Sequence, residues 1–326
     1  MEVNDGADLC FPQLLNVSCR KPTSRSKMVL LNILMASVSL ITVALNLLVM
    51  ISVSHFRQLH TPTNILLLSL AVSDFLVGLL VMPGQILRKT SCWFLGDVMC
   101  SLYTYLVSLT ISASVGNMVL ISAERYVAIC DPLHYPTRVT VQRARFCVFV
   151  CWVCSFLYSG IFLKRDMTGS DRHNSCYGQC TIITDYTIET IDLVVNFIFP
   201  ITVIVVLYVR VFVVAVSQAR TIRSHVKTLP LQRSVTVLVK KSELKAARTL
   251  GVLVAVFLMC FCPYYCVVLA GGSVSYVIYL LYFNSCLNPV IYALFYPWFR
   301  RASKLIVTCR ILQPGSRDTN ILQVDH

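Results

Sequence analysis

Asp185, Glu189, Asp192 and Asn196 follow one another at spacings of four, three and four residues. On a helix that spacing sets three carboxylates and an amide on one face. Asp192 lies inside an apolar run, and a carboxylate at membrane depth needs a cavity, a partner or a task. It precedes Pro200 by eight residues, about 12 Å of helix toward the outer surface, which suits the wall or floor of an outward-opening pocket. A second carboxylate, Asp74, sits near the middle of another apolar run. An isolated charge there costs about 2.5–3.5 kcal/mol, so Asp74 faces inward. Asn46, Ser114, Asn284 and Asn288 could give oxygen ligands to a small hydrated cation beside it. The same groups could instead form a hydrogen-bonded helix-packing network, and residue types leave both readings open.

Glu124-Arg125-Tyr126 closes a third apolar run. Arg125 could pair locally with Glu124 and across to Glu243, which opens a later run. Such a pair holds two helix ends together until it breaks, which makes a two-state element rather than a catalytic one. The alternative is an arginine snorkelling to the interface. Pro200, Pro263 and Pro289 fall one each in the last three runs, where each removes a helical hydrogen bond and permits a kink.

The elements that must position these residues are membrane helices. The chain has 326 residues, 56% hydrophobic and 13% charged, with a mean hydropathy of +0.72, outside the range of ordinary soluble domains. Seven spans are expected near 28–54, 62–87, 98–123, 146–163, 187–216, 246–270 and 274–296, each near the length of about 20 residues that a crossing needs. The ten-residue alternation of barrel strands is absent. The expected fold is an all-α bundle over 28–299, an N-terminal segment 1–27, and a tail 300–326 that begins on the membrane. An amphipathic helix is expected at Pro297–Val307. Residues 1–27 hold no apolar signal core, so the first span serves as its own insertion signal. Lys and Arg crowd the loops after spans three and five and the tail, which puts those inside and the N-terminus outside. Asn16-Val17-Ser18 is then a glycosylation sequon on the outer side. The net charge of +13 reads as a basic cytoplasmic skirt facing anionic lipid; a nucleic-acid partner would need a folded basic module, and none is evident.

Fifteen cysteines are present, many within spans as small packing residues. Cys10, Cys19, Cys92, Cys100, Cys176 and Cys180 fall on the outer side, and six candidates do not dictate a connectivity. No clustered metal-ligand set, GxSxG or HExxH argues for an enzyme, and no internal repeat argues for a transporter. No cofactor is expected beyond an allosteric sodium ion at Asp74.

Asn46, LAVSD ending at Asp74, Cys100, ERY at 124–126, Trp152, Pro200 with Tyr208, FLMCFCP at 257–263 and NPVIY at 288–292 together resemble the rhodopsin-like family of G protein-coupled receptors. Within it, NSCLNPVIYALFYPWF at 284–299 is similar to the fingerprint of trace amine-associated receptors. The resemblance implies a plasma-membrane receptor for volatile or waterborne amines, used in olfactory neurons and their cilia, coupled to a stimulatory G protein and cyclic AMP. It implies a cytoplasmic switch of Arg125, Glu243, Tyr208 and Tyr292, with Pro200 and Phe257 counted in it. It further implies a sodium site at Asp74, Ser114, Asn284 and Asn288, and disulfides Cys100–Cys180 and Cys19–Cys176, with Cys10 the weaker alternative to Cys19.

Two departures from that pattern matter. The tryptophan two residues before the span-six proline is Phe261 here, and the span-three aspartate that holds the ammonium in aminergic relatives is Val107. Asp192 offers the missing charge, as in a fish branch of the subfamily whose anchor has moved to span five. The expected pocket is Asp192 and Glu189, with Val107, Ser108, Ile111, Phe261, Tyr264, Tyr265 and Tyr282, the aromatics giving cation–π contact. Glu189 above Asp192 suggests a diamine or polyamine preference as an alternative, unless it points to lipid headgroups or pairs with Arg88 or Lys89; a non-olfactory aminergic receptor is the other alternative. Cys309, just after the amphipathic segment, is a palmitoylation candidate.

Overall fold

The computed structural model describes residues 9–14, 17–21, 26–168, 176–181, 186–226 and 234–322, without the side chains of 26–28, 162, 165–168, 218–226, 234–248 and 250. Asn16 and Asp185 therefore lie outside the described residues, and Glu243 is described as helical backbone alone.

The described residues are mostly helical, in the order α1 Ser26–His55, α2 Pro62–Leu76, α3 Met82–Thr90, α4 Gly96–Cys130, α5 Tyr135–Arg138, α6 Val141–Thr168, α7 Tyr186–Leu193, α8 Phe199–Val226, α9 Ser234–Leu269, α10 Val277–Phe295 and α11 Pro297–Val307. Among the described residues seven helical stretches are long and apolar enough to cross a membrane. Two of these are composite: α2 runs into α3 through a π-helical turn at Val77–Val81, and α7 into α8 through another at Val194–Ile198.

The two π turns have a common cause. Pro83 and Pro200 each follow a turn by two residues and bring no N–H to the ladder. The residue before each proline reaches one carbonyl further back: Met82 N–H bonds the Val77 carbonyl, and Phe199 N–H the Val194 carbonyl. That i→i−5 bond is the mark of a π turn. Pro263 and Pro289 lie instead within the continuous helices α9 and α10. Pro62 opens α2, where a missing N–H costs nothing, and Thr61 caps it by accepting the Asn64 N–H at 3.3 Å.

Burial divides the bundle as a lipid-facing protein requires. Leu30, Leu40, Phe146, Leu157, Phe199 and Phe212 are exposed large apolar side chains on its outer belt. Polar groups turn inward, including Asn46, Asp74, Asn196, Asn284 and Asn288. Trp152 of α6 ties to α2 by donating its indole N–H to Ser69 Oγ at 3.0 Å. Helix α11 buries Trp298, Phe299 and Ala302 and packs on α1 and α10. Beyond it the tail turns back: Ile321 is buried, its N–H donates to Gln58 Oε1, and Asp318 pairs with Arg57.

Close packing at one glycine makes a stability prediction. A Cβ on Gly84 would lie 2.4 Å from Cε2 of Tyr103. That ring is buried, and its hydroxyl donates toward the Val81 carbonyl and Gln85 Oε1. Gly84→Ala is expected to cost about 1–3 kcal/mol by overpacking, seen as a lower unfolding temperature of purified protein. Equal stability would mean that Tyr103 can move aside.

The bundle end that carries the N-terminal segment is laced by three disulfides, Cys10–Cys92, Cys19–Cys176 and Cys100–Cys180. The segment also pairs through its backbone with the 176–180 stretch: Tyr177 N–H donates to the Val17 carbonyl and Cys19 N–H to the Tyr177 carbonyl. Gly178 has φ of +103°, and a Cβ there would lie 2.7 Å from Cys10 Cβ, so the crossing of the two segments needs glycine.

Candidate functional site

A cavity of about 600 Å³ opens beneath the disulfide-laced end. Its walls come from α3 (Arg88, Lys89), α4 (Thr104, Val107, Ser108, Ile111), the Gln179–Thr181 stretch, span five (Ile188, Glu189, Asp192, Asn196) and α9 (Tyr264, Tyr265). Gly271, Gly272 and α10 complete the rim. The Cys100–Cys180 bond places Cys180 in this lining and fixes the 179–181 stretch across the top of α4.

Asp192 is the centre of a hydrogen-bond network that spans four segments. Its Oδ1 accepts from Tyr158 of α6 at 3.0 Å and from Asn196 Nδ2 at 2.7 Å, and its Oδ2 accepts from Tyr265 of α9 at 3.2 Å. Asn196 in turn accepts at Oδ1 from Ser112 of α4 at 3.1 Å. The Tyr265 ring stacks on Phe197 with centroids 4.5 Å apart, and Tyr264 meets Tyr265 edge-on at 5.0 Å. Ser108 accepts from Ser159 at 3.1 Å. A carboxylate held this way is oriented toward the cavity, and its surroundings are aromatic.

Seven of the expected pocket residues line this cavity: Asp192, Glu189, Val107, Ser108, Ile111, Tyr264 and Tyr265. Phe261 and Tyr282 do not. Phe261 is buried in the core, stacked on Phe257 with centroids 4.1 Å apart. Tyr282 is buried in the core near Tyr103. Sequence reasoning missed Tyr158, Arg88 and Lys89 as cavity or anchor residues. Arg88 and Lys89 end α3 and line the cavity on the wall facing span five.

In mid-bundle, Asp74 Oδ2 accepts from Asn288 Nδ2 at 2.8 Å. Ser114 donates to Ser73 at 3.0 Å, and Asn46 Nδ2 bonds the carbonyls of Thr42 and Ser285. Oδ1 of Asn46, Asp74, Asn284 and Asn288 are buried without a hydrogen bond, and the Ser285 hydroxyl lies near the Asp74 carboxylate. These four oxygens come from α1, α2 and α10, which pack on one another. A set of buried oxygens with unused lone pairs, one of them on a carboxylate, suits a hard cation.

At the opposite end, Arg125 donates to Glu124 and to Thr63 of α2. Glu124 also accepts from Thr63 Oγ1 at 2.9 Å and from the Tyr135 hydroxyl of α5 at 2.5 Å. Burial, and next the Glu124 charge, push the Tyr135 hydroxyl up to about 12, so it stays a donor. Tyr208 lies against Gly251, whose Cβ would meet its hydroxyl at 2.4 Å, and the Tyr292 hydroxyl is buried without a partner. Pro200 and Phe257 are both buried. Cys309 is exposed just past α11.

Residues 45–292 match the family described as 7 transmembrane receptor (rhodopsin family). The chain is 37% identical to trace amine-associated receptor 13c of Danio rerio, with 98% of each chain covered. It is 36% identical to trace amine-associated receptor 7b of Rattus norvegicus, covering 96% of this chain and 92% of the relative. Against trace amine-associated receptor 1 of Macaca mulatta the identity is 35%, covering 93% and 95%. This family is one of receptors rather than enzymes. The chain is a multi-pass membrane protein that belongs to the rhodopsin family of seven-transmembrane receptors and is related within it to the trace amine-associated receptors.

Proposed function

We propose that the chain is a receptor for extracellular amines that holds the ligand ammonium at Asp192. The observation that carries this reading is an oriented carboxylate on an aromatic cavity wall. A carboxylate offers about four lone-pair directions, and three are taken by Tyr158, Asn196 and Tyr265. One remains for an N⁺–H donor, with the rings of Tyr264 and Tyr265 beside it for cation–π contact. The span-three wall is supplied by uncharged Val107, so it offers no competing anchor.

The signal is taken to pass to a stimulatory G protein and cyclic AMP at the Arg125 end, from a plasma membrane in which the N-terminus is outside. Olfactory cilia are the proposed setting. Asp74, Ser114, Asn284 and Asn288, with Asn46 beside them in the interior, are proposed to hold a sodium ion, which would meet the buried oxygens with a positive charge. Ser114 donates its hydroxyl hydrogen to Ser73, which leaves its oxygen lone pairs able to act as a ligand. Asn16 is the proposed glycan site and Cys309 the proposed acylation site.

A cell assay separates ammonium recognition from apolar binding. Cells expressing the chain should raise cyclic AMP on exposure to straight-chain alkylamines, while the alcohols of matching length, which fill the same space without charge, should be weaker by at least about tenfold. Equal responses to alcohol and amine would overturn the reading.

A preference for diamines needs a second anionic seat, and Glu189 does line the cavity. Arg88 and Lys89 line it too, so a second ammonium that reaches the span-two wall meets like charge.

A further inference from the structure

The cavity carries two cations that the amine reading does not use. Arg88 and Lys89 stand at the last turn of α3 and both face into the lining. Neither is in an ion pair among the described residues. Nε of Arg88 is buried with no acceptor, and its guanidinium lies over the Tyr103 ring, 5.9 Å from the centroid. A cation–π contact of this kind engages the face of the ring and uses none of the hydrogen-bond donors of the guanidinium. Leaving a buried donor unmade is costly, so the guanidinium retains unmet capacity for an acceptor.

The charges of the cavity are divided between its walls. Arg88 and Lys89 belong to span two, Glu189 and Asp192 to span five, and Tyr264 of α9 lies within coulombic reach of Asp192, Glu189 and Arg88 alike. A ligand that spans the cavity therefore meets a carboxylate at one end and a guanidinium with an ammonium at the other. A plain alkylamine satisfies the first end and buries an apolar tail against the second. A diamine satisfies the first and is repelled at the second. An ammonium joined by a short chain to a carboxylate or sulfonate satisfies both, since a guanidinium fork matches a planar anion through two parallel hydrogen bonds.

We infer that the ligand class of this cavity is the zwitterionic amine, with its ammonium at Asp192 and its anionic group at Arg88 and Lys89. This rests on the amine reading for one end of the ligand and adds the other.

The test uses purified full-length receptor and the shift of its unfolding temperature as ligand is titrated, which needs no G protein. The probes are straight-chain alkylamines and the ω-amino carboxylates and ω-amino sulfonates of matching length. On the parent, the best zwitterion should bind about tenfold tighter than the alkylamine of equal length. On Arg88→Gln that ratio should collapse to about one, and on Lys89→Gln it should fall part of the way. If no zwitterion is favoured on the parent, or if the ratio survives in both variants, the inference is overturned. Should Arg88→Gln fail to fold, the parent ratio and Lys89→Gln decide it alone. Asp192→Asn separates the two layers of the argument: alkylamines binding it as well as they bind the parent would sink the ammonium anchor. A collapse of the zwitterion ratio on Arg88→Gln would still stand as evidence for the anion seat.

Discussion

Replacing Asp192 with Asn should weaken alkylamine binding about a hundredfold while leaving the amount of folded receptor at the cell surface unchanged. The size of the effect comes from losing a charge–charge contact in a partly dry site, where truncating one partner costs about 2–5 kcal/mol and about 1.4 kcal/mol is a factor of ten. The fold should tolerate the change because an amide oxygen can still accept from Tyr158 or Asn196, which bond Oδ1 in the parent. The amide nitrogen would then face Tyr265, whose hydroxyl can reverse and accept. Saturation binding on receptor matched for surface number measures it. An unchanged affinity would remove Asp192 from the site.

The second large effect concerns the ion pair at the opposite end, and it is asymmetric. Glu124 is buried and has Thr63 and Tyr135 as donors besides Arg125. Arg125 has, among the described residues, Glu124 as its carboxylate partner. Glu124→Ala would therefore strand a largely buried guanidinium, a class of change that costs about 3–5 kcal/mol. Arg125→Ala would leave a carboxylate that still receives two hydroxyl donors, and its cost should be smaller by at least about 1 kcal/mol. Chemical or thermal unfolding of the two purified variants gives the order directly. If Arg125→Ala proves the more damaging, the pair is not what holds α2, α4 and α5 together at this end.

Much of this architecture could be read from the chain. Charge-free runs such as Met28–Ser54 leave few alternatives to membrane helices, and the burial of Asp74 and Asn288 follows from what a lone polar group would cost in lipid. The disulfides of Cys100 and Cys19 came through resemblance, whereas Cys10–Cys92 did not, because cysteine spacing carries no information on which loops meet. The role of Tyr158 was likewise hidden. It lies 34 residues from Asp192 on a helix whose exposed face is strongly apolar, and nothing local marks one tyrosine there as a donor. Phe261 and Tyr282 were misplaced for a related reason. Helical periodicity says that they face inward, but inward includes both cavity wall and packed core, and depth decides between them. Arg88 and Lys89 end a span, where cations are common, and only the neighbouring walls make them part of a cavity.

The π turn before Pro200 carries a consequence for how span five can change over generations. A regular helix advances each residue by about 100°, so one extra residue absorbed in the turn rotates everything before it by that angle relative to everything after. Asp192 and Glu189 lie on one side of the turn, and the long inner stretch of α8 lies on the other. Losing a single residue from Val194–Ile198 would swing the acidic pair out of the cavity toward a neighbouring helix or lipid, with no loop altered and no side chain replaced. Single-residue insertions and deletions, usually ruinous inside a membrane helix, thus have at this point a ready place to be absorbed. They act there as a rotary adjustment of which face of span five greets the ligand.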